Sequence, residues 1–359
     1  MMKSNFMEKL LDGVEVEWEA LGKVVDTITA PAKVKKESYR EKGKIPIIDQ
    51  GIQFIAGYTD ENIKTVKDDE YVVFGDHSEH IKYVDFEFVQ GADGLKILKP
   101  ESDNVKYIYY AFVNYYQKEL KYKRHWSSAK ETLIPIPPLE VQEEIVRILD
   151  TFTELTAELT AELTARKKQY AYYRDKLLTF EEGEVEWKRL GEVANIKNGK
   201  DWKKLGTGDI PVYGSGGIMA HVDKFAYDKP TVLIPRKGSI TNIFYVEVPI
   251  WNVDTIYYTE IDINQLIPKF FYYHMKTIDL MKLDTGSGRP SLTQAILNEI
   301  YIPIPSMEEQ NRIVSILDKF ETLTTSITEG LPREIKLRKK QYEYYRNMLL
   351  TFPEKEVDG

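Results

Sequence analysis

A chain of 359 residues, 42% hydrophobic and 30% charged, is long enough for two ordinary hydrophobic cores and too apolar to be mainly disordered. It has no cysteine and only five histidines, which excludes a disulfide scaffold, a thiol nucleophile and a zinc finger. A net charge of -8 argues against indiscriminate coating of nucleic acid; no run approaches the roughly 18 apolar residues of a membrane span, and the opening MMKSNFMEKLLDG is unlike a signal peptide, so a cytoplasmic chain with no membrane contact is expected.

In chain order, residues 1–17 form a short N-terminal segment. From 18 to 138, β-rich runs such as EYVVF at 70–74 alternate with Gly and Asp turns, and the aromatic stretch KYIYYAFVNYY at 106–116 has helical character. This reads as a mixed α/β domain. Such tyrosine stripes are usually core, although they can also stack on bases. IPIPP at 134–138 forbids helix and favours an extended edge.

From 139 to 182, Ile145, Ile148, Leu149, Phe152, Leu155, Leu159, Leu163, Tyr170, Tyr173 and Leu177 recur in steps of three and four. That period predicts one amphipathic helix of about 40 residues, roughly 60 Å long. Its run TELTAELTAELTA at 153–165 places Leu155, Leu159 and Leu163 on a stripe expected to be packed. The run has the look of a length adjuster, since four helical residues add about 6 Å and about 40° beyond a full turn. Residues 139–163 also hold seven Asp and Glu against one Arg, a face that should repel DNA.

Residues 183–306 read as a second mixed α/β domain, with TVLIP at 231–235, NIFYVEV at 242–248 and PKFFYYHMK at 268–276. Residues 307–359 supply a second long helix: Ile313, Ile316, Leu317, Phe320, Leu323 and Ile327 form one stripe, and Tyr342, Tyr345 and Leu349 continue it. Gly330 and Pro332 should kink or briefly break it.

The chain is written twice. IPIPPLEVQEEIVRILDTF at 134–152 and IPIPSMEEQNRIVSILDKF at 302–320 agree at 12 of 19 positions. RKKQYAYYRDKLLTF at 166–180 and RKKQYEYYRNMLLTF at 338–352 agree at 12 of 15. VEWEALG at 16–22 and VEWKRLG at 185–191 open the two units, and EKLLDGVEVEW near the start echoes DKLLTFEEGEVEW at 175–187. Between these blocks the inserts diverge. A pseudo-twofold repeat pairs the long helices antiparallel, and a shared frame with different contents suits a protein that reads two things at a fixed separation.

Catalytic motifs are absent: no phosphate-binding G-x-x-x-x-G-K-[ST], no G-x-G-x-x-G after a strand, no H-E-x-x-H, no G-x-S-x-G and no Asn-Pro-Pro-Tyr. The Gly214–Gly217 loop lacks the lysine and helix of a nucleotide site; a stand-alone transferase using it with Asp223 or Asp254 is the alternative enzyme reading. Asp76, His77, Ser78, Glu79 and His80 invite a metal reading, but histidines three apart beside carboxylates are common in plain loops, and no metal is expected. Basic patches are more informative: 31–44 has six Lys and Arg against two Glu, 118–130 five against one, and 197–204 four against one. Charge and loop position single out Lys33, Lys35, Lys36, Tyr39, Arg40, Lys42, His77, His80, Lys121, Lys123 and Arg124 in the first insert as DNA contacts. In the second insert they single out Lys197, Lys200, Lys203, Lys204, Ser215, Arg236, Lys237, Ser239, Asn242, Arg289 and Ser291, the last two in the loop Gly286 to Ser291. Lys and Arg neutralise phosphates, and Arg, Asn and Ser read base edges. If the patches are only solvated faces, a coiled-coil scaffold that binds protein alone is the remaining reading.

Two divergent inserts, each followed by IPIP-x-x-E-x-Q-x-x-I-V-x-I-L-D and then RKKQY-x-YYR-x-x-LL-x-F, with Thr-Ala-Glu-Leu repeats in the central copy only, resemble the specificity subunit of a type I restriction-modification system along the whole chain. The resemblance implies an α+β fold: two mixed α/β target recognition domains separated by two long antiparallel helices. It implies a non-catalytic reader of double-stranded DNA, each domain taking one half of a split asymmetric site and the helix pair fixing the spacer. Two methyltransferase (modification) subunits and the restriction (motor-nuclease) subunits would be the partners, carrying S-adenosylmethionine, ATP and Mg, with no cofactor on this chain. PRKGSITNIF at 235–244 resembles the common family pattern, whereas the matching place in the first domain reads FGDHSEHIKY at 74–83.

Overall fold

The computed structural model describes residues 9–352 except 12, 92, 182, 286, 287 and 327. The chain divides into two compact units, residues 1–158 with 336–359, and residues 159–335.

In the first unit the insert forms strands β1 (Glu17–Ala20), β2 (Val25–Ile28), β3 (Ile45–Ile48), β4 (Gly57–Thr59), β5 (Tyr71–Gly75), β6 (Ile81–Val84), β7 (Val89–Gln90), β8 (Leu95–Pro100) and β9 (Leu133–Ile136), with helix α1 (Val105–Tyr115) after β8. β1 and β9 pair antiparallel with Trp18 opposite Pro135, so the two repeated segments that flank the insert in sequence close it as a ribbon. Proline is tolerated there because a two-stranded ribbon leaves its outer side unpaired. The rest is a four-stranded sheet, β2-β8-β5-β6, and a three-stranded sheet, β4-β3-β7, in which β3 and β7 run parallel. α1 starts at Asn104, whose side chain accepts the Tyr107 N–H, and buries Tyr107, Ile108, Ala111 and Phe112 with Val72, Phe74 and Leu98 of the sheet.

The second unit repeats this plan strand for strand. Its strands are β10 (Glu186–Arg189), β11 (Ala194–Lys197), β12 (Ile210–Gly214), β13 (Gly217–Val222), β14 (Thr231–Pro235), β15 (Phe244–Val246), β16 (Trp251–Asn252), β17 (Ile256–Ile261) and β18 (Tyr301–Ile304). The ribbon is β10-β18 with Trp187 opposite Pro303, and the sheets are β11-β17-β14-β15 and β13-β12-β16, again with one parallel pair. The inserts thus share one topology beneath unrelated sequences.

The first long helix, α2 (Leu139–Leu177), runs unbroken for 39 residues, its first half in one unit and its second in the other. In the second unit lies α3 (Pro268–Met275), the counterpart of α1, and then α4 (Met307–Thr325) and α5 (Gly330–Leu349) follow. Phe152 of α2 stacks on Tyr345 of α5 at 4.9 Å, and Tyr173 of α2 stacks on Phe320 of α4 at 5.7 Å. The first pair lies within the first unit and the second within the second.

The repeated blocks hold each domain to its helix through equivalent side chains. Buried Gln142 accepts the Asn104 N–H at 2.9 Å and donates to Pro137 O and Asp103, while Gln310 accepts the Ile267 N–H at 2.8 Å and donates to Pro305 O and Gln265 O. Asp150 takes the Tyr110 hydroxyl and the Lys106 amine, both at 2.7 Å; Asp318 takes Tyr273 and Lys269 at 2.5 and 2.9 Å. Each domain is therefore keyed to its helix by the same Gln and Asp.

The expected kink or brief break in the C-terminal stripe takes the form of a break between two helices: Ser326 Oγ accepts the Thr328 and Glu329 N–H groups, and Gly330 sits at φ +77° where a Cβ would come within 2.5 Å of Thr322 O. Ile327 lies outside the described residues. One expectation needs correction. The leucines of the Thr-Ala-Glu-Leu run are less packed than their spacing suggested: Leu159 and Leu163 are half-buried and Leu155 is 37% exposed. A strict four-residue step overshoots the turn by about 40° each time, so the row drifts around the helix.

Candidate nucleic-acid interface

In the first domain, four chain segments meet at one rim: the loop after β3, the β5–β6 turn, the β7–β8 turn and residues 116–125 after α1. Gln50 joins three of them. Its side chain accepts the His77 N–H and donates to Asp93 O, both at 3.2 Å, and its carbonyl accepts from the Ser78 hydroxyl. The His77 ring lies 3.1 Å from Lys123 O through Nδ1 and stacks on Tyr122 at 5.4 Å. Lys33 is bridged to Gln90 and paired with Asp93 at 2.7 Å. The hydrogen bond and charge of Lys33, with the Arg124 charge, hold the Asp93 carboxyl below its usual range. His77, Lys33, Lys123 and Arg124 are therefore brought together, with His80 against Gln50 O at 3.3 Å and Tyr39 against Asp49 at 3.4 Å.

The acidic residues of the 76–80 cluster are spent on the backbone. Asp76 accepts the Trp126 N–H at 2.8 Å. Buried Glu79 accepts the Tyr116 hydroxyl and the Glu119 and Leu120 N–H groups at 2.7, 2.7 and 2.8 Å. Among the described residues no three His, Cys, Asp or Glu are grouped to hold a metal ion. Burial pushes the Glu79 pKa up, but its three hydrogen bonds and the nearby His125 outweigh this and leave it lowered. A carboxylate with a lowered pKa stabilises the fold above the ordinary carboxylate range and ceases to do so as pH falls through its lowered value. Glu79→Ala should cost about 2–3 kcal/mol and free the 116–125 segment, seen as faster trypsin cleavage after Lys121, Lys123 or Arg124 at neutral pH; unchanged cleavage would show that Glu79 does not hold the loop. From strand β6, buried Lys82 donates to Asp49 O and Gln53 O of the loop after β3 at 2.7 and 2.6 Å, its pKa lowered by burial.

The second domain builds the same rim from other residues. Gly214–Gly217 forms the β12–β13 turn; Ser215 N lies 3.3 Å from the Thr255 hydroxyl, and Ser215 O accepts from Asn242 at 3.1 Å. Arg236 N and Lys237 N both donate to Thr255 O, and the Arg236 guanidinium reaches Asp254 O at 3.4 Å. Lys237 is bridged to Ser291, Gly238 N donates to Pro290 O, and Ser239 O accepts from Asn242 N. Lys200 N donates to Asn252 O. Ser215, Arg236, Lys237, Ser239, Asn242 and Ser291 thus converge, with Lys200 anchored beside them and Lys203, Lys204 and Arg289 exposed. Gly286 and Ser287 lie outside the described residues.

Some candidates fall elsewhere. Arg40 pairs with Asp60 at 3.4 Å and, with exposed Lys42, follows the outer strand β4, while exposed Lys35 and Lys36 lie at a single 3-10 turn. Lys197 lies on edge strand β11, paired with Glu260 at 3.5 Å. Of the two carboxylates in the transferase reading, Asp223 is set apart from the Gly214–Gly217 loop by the six-residue β13, roughly 20 Å from end to end, whereas Asp254 lies beside the loop, next to Thr255, whose hydroxyl is 3.3 Å from Ser215 N. Gln50, Lys82, Thr255, Leu120 and Tyr122 carried no sequence signal, being neutral or isolated in the chain; Glu79 was visible only as part of a metal-like cluster.

The two rims correspond turn by turn. The β5–β6 turn answers to β14–β15, so FGDHSEHIKY and PRKGSITNIF occupy one topological place; the β3 loop answers to Gly214–Gly217, and the β7–β8 turn to residues 253–255. Residues 15–166 and 182–337 match the type I restriction modification DNA specificity domain. The chain is 39% identical to the type I restriction enzyme EcoR124I/EcoR124II specificity subunit of Escherichia coli over 99% of each chain. It is 35% identical to a putative type I restriction enzyme specificity subunit of Haemophilus influenzae, covering 98% of this chain and 100% of that one. The S subunit of a type I restriction-modification system from M. genitalium has the same fold, with a TM-score of 0.65 and 22% identity over 96% of this chain and 98% of that one. With the specificity domain matched in both halves and full-length likeness to specificity subunits, the chain belongs to the type I restriction-modification specificity subunit family.

Proposed function

We propose that this chain is the DNA-reading subunit of a type I restriction-modification complex, each rim reading one half of a split asymmetric site. The observation that supports this most is one rim built twice on identical topology with different side chains: Gln50, His77, Lys123 and Arg124 in one domain, Ser215, Arg236, Lys237 and Asn242 in the other. A duplicated scaffold with divergent contact residues is what reading two half-sites requires. Basic side chains place the phosphates, and the amide, hydroxyl and imidazole groups read base edges.

Adenine methylation and DNA cleavage belong on this reading to partners: two methyltransferase subunits with S-adenosylmethionine, and restriction subunits with ATP and Mg. The frame supports two copies of one partner, because its exposed apolar positions also come in pairs, Leu133 with Tyr301 and Leu139 with Met307. No helix is long and apolar enough to cross a membrane among the described residues.

α2 then sets the spacer. Deleting Leu155–Glu158 shortens the helix by about 6 Å, near two base pairs at about 3.4 Å per step. The methylated motif should keep both half-sites and change only the spacer; altered half-site sequence would overturn the ruler role. The reading itself is tested by gel shift of the chain assembled with its methyltransferase subunits: specific binding that needs this chain supports it, and binding unchanged without the chain refutes it.

A further inference from the structure

The 118–125 segment of the first domain carries two large apolar side chains almost wholly in solvent, Leu120 at 85% exposure and Tyr122 at 92%. Neither is loose. Leu120 sits at φ +57°, a conformation costly for a leucine, and its N–H is fixed on the buried Glu79 carboxylate. Lys121 O lies 2.6 Å from Nε2 of fully buried His125, and Tyr122 stacks with one face on His77. A domain that spends a buried carboxylate to hold a strained leucine in water is presenting that leucine to something. The neighbours say what: residues 118–130 hold five Lys and Arg against one Glu, so the occupant is anionic.

We propose that Leu120 and Tyr122 form a preformed apolar tip with which the first domain touches bases of its half-site, the flanking cations seating it on the backbone. The chemical group such a tip takes in the major groove is the 5-methyl of thymine. The inference rests on the DNA-reading function above and adds to it a contact made without hydrogen bonds.

The test uses the chain assembled with its methyltransferase subunits and DNA carrying the identified site. Leu120→Ala with Tyr122→Ala should weaken specific binding about tenfold or more and leave non-specific binding and the salt dependence unchanged. Lys121→Glu with Arg124→Glu should weaken both kinds of binding and flatten the salt dependence. Because both tip side chains stand in solvent, their removal takes nothing from the core. Replacing thymines of the first half-site one at a time by deoxyuridine needs no protein variant and should weaken binding at one position at least. Parent-like binding by the tip variant, with the charge variant weakened, overturns the tip and spares the rim; no loss at any deoxyuridine overturns the thymine contact. If neither variant weakens binding, the first rim is not the DNA surface and the underlying reading falls with the tip.

Discussion

Changing Arg236 and Lys237 together to glutamate is expected to lower the affinity of the assembled complex for its site about 100-fold, or about 2.7 kcal/mol, and to reduce the slope of log affinity against log salt by about two. The backbone N–H groups of both residues donate to Thr255 O, the Arg236 guanidinium lies 3.4 Å from Asp254 O, and Lys237 is bridged to Ser291, so the turn cannot swing its new charges away. Loss of two cations removes two phosphate contacts, and the introduced carboxylates add repulsion. Fluorescence anisotropy titrations over a range of salt concentrations read both quantities. An unchanged slope would mean that this turn does not face the phosphates.

Gln310→Ala is expected to destabilise the second unit by about 3 kcal/mol, lowering its melting temperature by roughly 6–12 °C. Gln310 is fully buried and its amide meets three backbone groups: it accepts the Ile267 N–H and donates to Gln265 O and Pro305 O. Alanine leaves these groups without their partner, away from water. Gln142→Ala should do the same to the first unit, where the amide serves Asn104 N, Asp103 and Pro137 O. Scanning calorimetry of single and double variants checks this. A loss below about 1 kcal/mol would show that the shared glutamines do not tie the domains to their helices.

The frame was legible because its residues repeat. VEW and IPIP recur at the ends of both inserts, and they pair as β1-β9 and β10-β18; the recurring Gln and Asp of the second block bind equivalent groups in both units. The amphipathic period of α2 gave its length to within a few residues. The common topology of the inserts was not legible, since strand pairing needs only alternating apolar residues and leaves sequence free. The rims were half legible. Charge marked Arg236 and Lys123, but the groups that position them, Thr255, Gln50 and Glu79, act across long gaps: Gln50 meets His77 from 27 residues away. The interruption at 326–329 was legible only as a kink or a brief break, because proline and glycine disfavour helix without saying whether Ser326 will cap a new one.

The most direct test is methylome sequencing of cells that carry the methyltransferase subunits with either the parent chain or the chain bearing Arg236→Glu and Lys237→Glu. The parent should impose a split adenine-methylated motif that is absent without the chain. The substituted chain should lose that motif or change it only in the half read by the second domain, with the other half and the spacer kept. Methylation that is the same with and without the chain, while the partners are active, would contradict the assignment, as would a substitution in one rim that rewrites both halves.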